Sequence, residues 1–90
     1  MQTKNTAMNQ MIFKLDLSVE TISVYLLCCS LEDMGEVIST KNLSNVWNST
    51  NDLLNKGLDN LEKKNIVSKI ISDRTENSVY KLQETSKWKI

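Results

Sequence analysis

The 90-residue chain contains no histidine. That removes the commonest general base and the commonest metal ligand together. The Ser/His/Asp and Cys/His arrangements of nucleophilic catalysis are excluded with it, and neither of the two glycines belongs to a phosphate-cradling loop. The neighbouring carboxylates Glu32 and Asp33 read as a solvated corner rather than an acid–base pair. Cysteine is confined to the adjacent Cys28 and Cys29. Such neighbours form a disulfide only with strain, and make a poor metal site without a second pair or a histidine. They read as small reduced core residues of a cytoplasmic protein. The sequence therefore predicts no enzyme, no metal and no cofactor.

Long apolar runs are also missing. The longest, "VYLLCC", has six residues, against the roughly 20 that span a bilayer. The opening "MQTKNTAMNQ" lacks the apolar stretch of a signal peptide. A soluble cytoplasmic chain with no membrane partner is expected. Ninety residues make one domain, since chains below about 150 residues rarely split into two cores. Glycine, alanine, arginine and proline number 2, 1, 1 and 0, whereas asparagine, lysine and isoleucine number 10, 10 and 7. The scarce group uses GC-rich codons and the abundant group AT-rich ones, which points to an AT-rich genome or mobile element.

Charge is present but unevenly placed. Residues 1–62 carry 8 acidic and 4 basic side chains, a balance of −4, while residues 63–90 carry 3 acidic and 7 basic, a balance of +4. The neutral total hides this asymmetry, and the basic section is where an electrostatic footprint would lie.

Along the chain, residues 1–10 read as a polar N-terminal arm, residues 11–83 as the folded domain and residues 84–90 as a basic tail. "MIFKLDL" partly alternates, as a short strand or an extended lead-in packing Phe13 and Leu15. Ser18 fits a helix N-cap. Ile22, Tyr25, Leu26 and Cys29 then form an i, i+3, i+4, i+7 stripe, widened by Val24, Leu27, Cys28 and Leu31. Gly35 suits a reversal and "EVIS" a brief strand. Ser39 or Thr40 can cap a second helix carrying Leu43, Val46 and Trp47. Ser49 reads as the cap of a third, with Leu54, Leu58 and Leu61 on one face and a left-handed Asn65 at its end. "IVSKIIS", a polar turn and "VYKL" complete a hairpin. The expected core includes Ile22, Leu26, Val46, Leu54, Leu58, Leu61, Ile70 and Tyr80. Mid-helix Gly57 costs about 1 kcal/mol relative to alanine, which signals a close contact or a weakened helix.

Two short helices joined by a tight turn, the second running straight into a hairpin, form a helix-turn-helix with a wing. In "LDLSVETISVYLLCCS", "ISTKNLSNVW", "NSTNDLLNKGLDNLEKKNIV" and "NSVYKL" the chain resembles the winged helix-turn-helix domains of small bacterial regulators and plasmid replication proteins. The resemblance covers roughly residues 12–83. It implies a mainly α fold with a small β-sheet (α+β), three helices plus a β-hairpin wing, and DNA binding through the third helix and the wing. More narrowly, the chain is similar to TcpK-like accessory proteins of clostridial conjugative plasmids, which implies binding at the origin of transfer.

The third helix departs from that family, whose exposed face usually carries arginine or lysine. Here it offers Thr50, Asn51, Asp52, Asn55, Lys56 and Asp59. Asn51 or Asn55 can pair with adenine. Phosphate neutralisation must come from elsewhere. The expected contacts are therefore Lys64, Lys69, Arg74, Lys81, Lys87 and Lys89, with Lys4 and Lys14 from the N-terminal side and a lesser share for Asn51, Asn55 and Lys56. Arg74, the single arginine, falls at the predicted wing tip and suits the narrow minor groove of AT-rich DNA. The bland readings stand beside these: Lys63 and Lys64 complement a helix C-terminus, and Lys69, Arg74 and Lys81 are solvated strand charges. Trp88 can dock on the body, pair in a dimer or lie against DNA. The expected partners are double-stranded, AT-rich DNA, a second copy through Trp88 and Ile90, and other DNA-processing proteins. The competing functions are a transcriptional regulator reading DNA with the third helix, and a winged helix presenting that acidic helix to a protein.

Overall fold

Ser18 sets the start of the first helix. Its backbone is extended (φ −66°, ψ 158°), and its hydroxyl oxygen accepts from the Thr21 amide at 3.2 Å, pairing one of the donors that a helix start leaves open. In this computed structural model, which describes residues 10–72 and 78–89, α1 runs over Val19–Asp33. Gly35, at φ +76°, reverses the chain into β1 (Ile38–Ser39). The Ser39 hydroxyl then caps α2 (Thr40–Val46), accepting from the Asn42 amide at 3.0 Å. Helix α3 covers Asn51–Lys63 and is followed by Asn65 in the left-handed region, φ 59°. β2 (Val67–Ser72) and β3 (Ser78–Leu82) are the arms of the hairpin.

The strands make one antiparallel sheet in the order β1-β3-β2, with Tyr80 opposite both Ile38 and Lys69. Thr40 locks the β1 end: its hydroxyl accepts from the Ser78 amide at 3.2 Å and reaches the Ser78 carbonyl at 3.4 Å. Among the described residues this is an α+β fold of three α-helices and a small sheet, with α2 and α3 joined by residues 47–50 and the hairpin standing as a wing. It is the winged helix-turn-helix arrangement expected from the sequence.

The core lies between α1, α3 and the sheet. Leu54, Leu58 and Leu61 of α3 are buried in one cluster with Val24, Tyr25, Cys28 and Cys29 of α1 and with Ile38, Ile66 and Val67. Gly57 is where α1 and α3 come closest. A Cβ placed there would lie 2.6 Å from Val24 Cγ2, 3.2 Å from Val24 Cβ and 3.5 Å from the Glu20 carbonyl. The mid-helix glycine therefore marks a close approach. Asn60 adds a polar tie, donating to the Thr21 hydroxyl oxygen at 3.0 Å.

Several sequence expectations are corrected. Ile22 is only half-buried and Leu26 is exposed, because the buried face of α1 is carried by Thr21, Val24, Tyr25, Cys28 and Cys29, turned from the expected stripe. Val46 is exposed on α2, where Leu43 supplies the core contact. Ile70 is exposed because alternation along β2 sets it on the face opposite buried Val67 and Tyr80, and the β2–β3 register shifts at this point, between Lys69 and Ile71. The lead-in is a short 3-10 helix, Gln10–Lys14, that buries Ile12 and leaves Phe13 outside. Helix α3 is capped by Thr50, not Ser49: its hydroxyl oxygen accepts from the Leu53 amide at 3.3 Å. The tail is also held, since Trp88 is buried. Residues 73–77, where the sequence reading expects a polar turn, the first nine residues and Ile90 lie outside the described residues.

Candidate nucleic-acid interface

Position on α3 decides what each of its side chains meets. The Trp47 indole donates to the Thr50 carbonyl at 2.8 Å, fixing the turn from α2 into α3. From there Leu54, Gly57, Leu58 and Leu61 face inward. Asn51, Asn55, Asp59 and Glu62 follow at i, i+4, i+8 and i+11 and line a cleft of about 420 Å³. Its other walls are Thr40 and Ser44 of α2 and Lys69, Ser78 and Tyr80 of the sheet. Lys56 is exposed but lies outside the cleft lining.

Two carboxylates, Asp59 and Glu62, thus share the cleft with one ammonium, that of Lys69. The Lys69 Nζ sits 5.9 Å from the Tyr80 ring centroid, within range of the ring's negative face. Lys69 shares the cleft with these acids and forms no ion pair with either. Asp59 also reaches Lys63 at 3.3 Å, but both side chains are exposed, so this pair contributes little. The half of the cleft nearest the start of α3 offers the neutral Asn51 and Asn55.

The hairpin divides the other lysines. Residues opposite one another share a face and successive residues alternate. Lys69 faces Tyr80 and shares its side, whereas Lys81, opposite Ser68, projects from the other side of the sheet. Lys14 ends the 3-10 helix and is exposed. Lys4 and Arg74 lie outside the described residues.

Three expected contacts do come together. At the end of α3 the Lys89 amide donates to the Lys64 carbonyl at 2.7 Å, and the Asn65 side-chain amide donates to the Lys87 carbonyl at 2.9 Å. Lys64, Lys87 and Lys89 are therefore brought to one corner, at the base of the hairpin and beside Lys63. Among the described residues none of Lys64, Lys87 and Lys89 has a carboxylate partner. The local negative pole of the helix end amounts to only about half a charge.

Of the residues that frame this corner, Trp88 was expected to dock on the body, pair in a dimer or lie against DNA, and it docks on the body. Asn65 was foreseen only as a helix end. For Trp88 the signal was "KWK", an aromatic between two lysines, which can bury its ring while its neighbours stay wet. Both cysteine thiols are held protonated by burial. Burial raises the Cys28 thiol to about 12, with neighbouring Cys29 adding to the effect and a backbone hydrogen bond opposing it. Burial likewise raises Cys29 to about 11, opposed by a hydrogen bond with Tyr25 and reinforced by Asp33 and Glu32. Among the described residues no group of three or more histidine, cysteine, aspartate or glutamate side chains could hold a metal ion. No described helix is long and apolar enough to cross a membrane. Compared with protein-family models, curated proteins and solved structures, the chain matches none of them.

Proposed function

We propose that this protein binds double-stranded DNA, with the wing and the basic corner as the main contacts and α3 in a lesser role. The observation that carries the reading is the corner itself: Lys64, Lys87 and Lys89, brought together by one main-chain hydrogen bond and one from the Asn65 side chain, with no carboxylate partner among the described residues. Phosphate neutralisation dominates affinity for DNA, and this corner is the best-placed source of it. The cleft along α3 is a poor substitute, because Asp59 and Glu62 would meet the phosphates first. Asn51 and Asn55, at its neutral end, are placed to pair with adenine. Coming from an AT-rich plasmid or mobile element, such a protein would act at a specific site in conjugative transfer, at the origin of transfer, or in replication. Pairing of two copies on adjacent half-sites would lengthen the site read. Trp88 is not free to supply that dimer contact, because its ring packs inside its own chain.

The test is a duplex titration at several salt concentrations, with AT-rich and GC-rich sequences compared. Each lysine-to-glutamine change at Lys64, Lys87 or Lys89 should lower the salt slope by about one unit. Arg74→Ala should weaken the preference for AT-rich duplex, as loss of a groove-width reader would. Asn51→Ala, Asn55→Ala and Lys56→Ala should only trim affinity. Complete loss in those three, with wild-type slopes in the lysine variants, would return α3 to the role of a regulator's reading helix. A second reading has its own observation: the carboxylates Asp59 and Glu62 in the α3 cleft suit contact with a protein. Failure of the wild type to bind duplex or heparin even at low salt would favour it and refute DNA binding.

A further inference from the structure

The C-terminal segment is built into the fold by one side chain. Trp88 is 7% exposed, and its ring meets Tyr25 edge-on, with centroids 5.9 Å apart and planes at 85°. That is a favoured aromatic geometry, and burial of a tryptophan is a large apolar gain. The buried indole N–H is satisfied by the Gln83 carbonyl at 3.1 Å. A short 3-10 turn, Thr85–Lys87, shapes the approach: the Lys87 amide donates to Glu84 at 2.8 Å and the Trp88 amide to Thr85 at 3.1 Å. The residues on either side of Trp88 then tie back to the end of α3, Lys87 through Asn65 and Lys89 through Lys64.

We infer that Trp88 is a positioning residue of the DNA contact: by plugging into the body beside Tyr25, it holds Lys87 and Lys89 next to Lys64 as a preformed phosphate-docking corner. The inference rests on the DNA-binding reading above. A free lysine-rich tail would also attract DNA, but it would have to lose its chain freedom on binding. A corner ordered beforehand avoids that cost and presents its charges at one fixed place. The strong polar ties on both sides of a single buried ring make Trp88 the element that sets this order. Its own side chain, being buried, need not touch a phosphate.

The experiment has two parts. Amide and indole hydrogen exchange in the wild type should show protection at the Lys89 amide and the Trp88 indole. Exchange there at free-peptide rates would overturn the proposal before any DNA is added. Salt-dependent duplex titration then compares Trp88→Phe, Trp88→Leu and Trp88→Ala with Lys87→Gln/Lys89→Gln. The lysine pair should lose about two units of salt slope. Trp88→Ala should lose much of the same slope although every lysine is retained, and Trp88→Phe should restore most of it. If Trp88→Ala fails to fold, Trp88→Leu, which keeps apolar volume but loses the ring geometry and donor, carries the comparison. A wild-type slope in the folded Trp88→Ala or Trp88→Leu variant, with the slope lost in the lysine pair, overturns the role of Trp88 alone. A wild-type protein that binds no duplex overturns the DNA reading itself, and this proposal with it.

Discussion

Replacing Gly57 by alanine sets two effects of known size against each other. Alanine is the better helix former by about 1 kcal/mol, which by itself predicts a more stable protein. The new methyl, however, would lie 2.6 Å from Val24 Cγ2 and 3.2 Å from Val24 Cβ. Ordinary carbon contacts are roughly 3.5–4.0 Å, so the first overlap is about 1 Å deep. Val24 is fully buried, and a β-branched side chain in a helix has one strongly preferred rotamer. Turning it would move Cγ2 but leave the Cβ contact, so α1 and α3 must separate. Overpacking of this kind costs about 1–3 kcal/mol. The clash should cancel or outweigh the gain, for a net loss of up to about 2 kcal/mol, at its upper end a fall in Tm of several degrees in a domain this small. Thermal melts of Gly57→Ala, Val24→Ala and the double variant give the coupling directly. With the Val24 methyls removed the 2.6 Å overlap disappears and only the 3.2 Å Cβ contact remains. Gly57→Ala should therefore cost clearly less there than in the wild type, and its helix gain of about 1 kcal/mol is partly recovered. An equal Tm change in both backgrounds would refute the reasoning, and so would a rise in Tm for Gly57→Ala alone.

Two further predictions follow from the core. Leu58, 2% exposed, should cost about 2–5 kcal/mol when cut to alanine, measured by urea denaturation, and a freely tolerated Leu58→Asp would break the assignment of α3. The raised thiols predict a pH effect. The unfolded chain ionises its cysteines near 9.0, whereas the folded chain holds those protons to about 12 at Cys28 and about 11 at Cys29. Their contribution is therefore whole below about pH 9 and is lost as the pH rises through the folded values. Urea midpoints of the wild type should fall more steeply above pH 9 than those of Cys28→Ala/Cys29→Ala. Parallel curves would show that thiol burial is not the cause.

What could be read from the sequence depended on how sharply each segment separates its faces. Helix α3 places leucines on one side and polar groups on the other, so Leu54, Leu58 and Leu61 were evident, as was Asn65 at its end. The caps Ser18 and Ser39 were legible because a hydroxyl precedes each apolar pattern. Helix α1 carries apolar residues on nearly every side, so periodicity alone did not choose Val24 and Cys28 over Leu26. Choosing between Ser49 and Thr50 needed the Trp47 hydrogen bond that shapes the turn. The exposure of Ile70 needed the pairing of Lys69 with Tyr80, which no single strand encodes. The lysines of the candidate corner were identified individually, but their gathering depends on Trp88, whose partner Tyr25 lies far away in sequence.

The irregularity at Ile70 has a further effect on how this molecule lives at high concentration. With β3 in the middle of the sheet, β2 is an edge, and six residues of it carry one flank that no other described strand covers. Flat, regular edges recruit edges of other chains, which is how soluble sheets begin to polymerise. A bulge twists the strand and breaks the even ladder of donors and acceptors that such recruitment requires. Lys69 beside it adds a charge that a growing stack would have to bury. The register shift beside Ile70 thus makes this edge a poorer template for sheet growth than an even ladder would be.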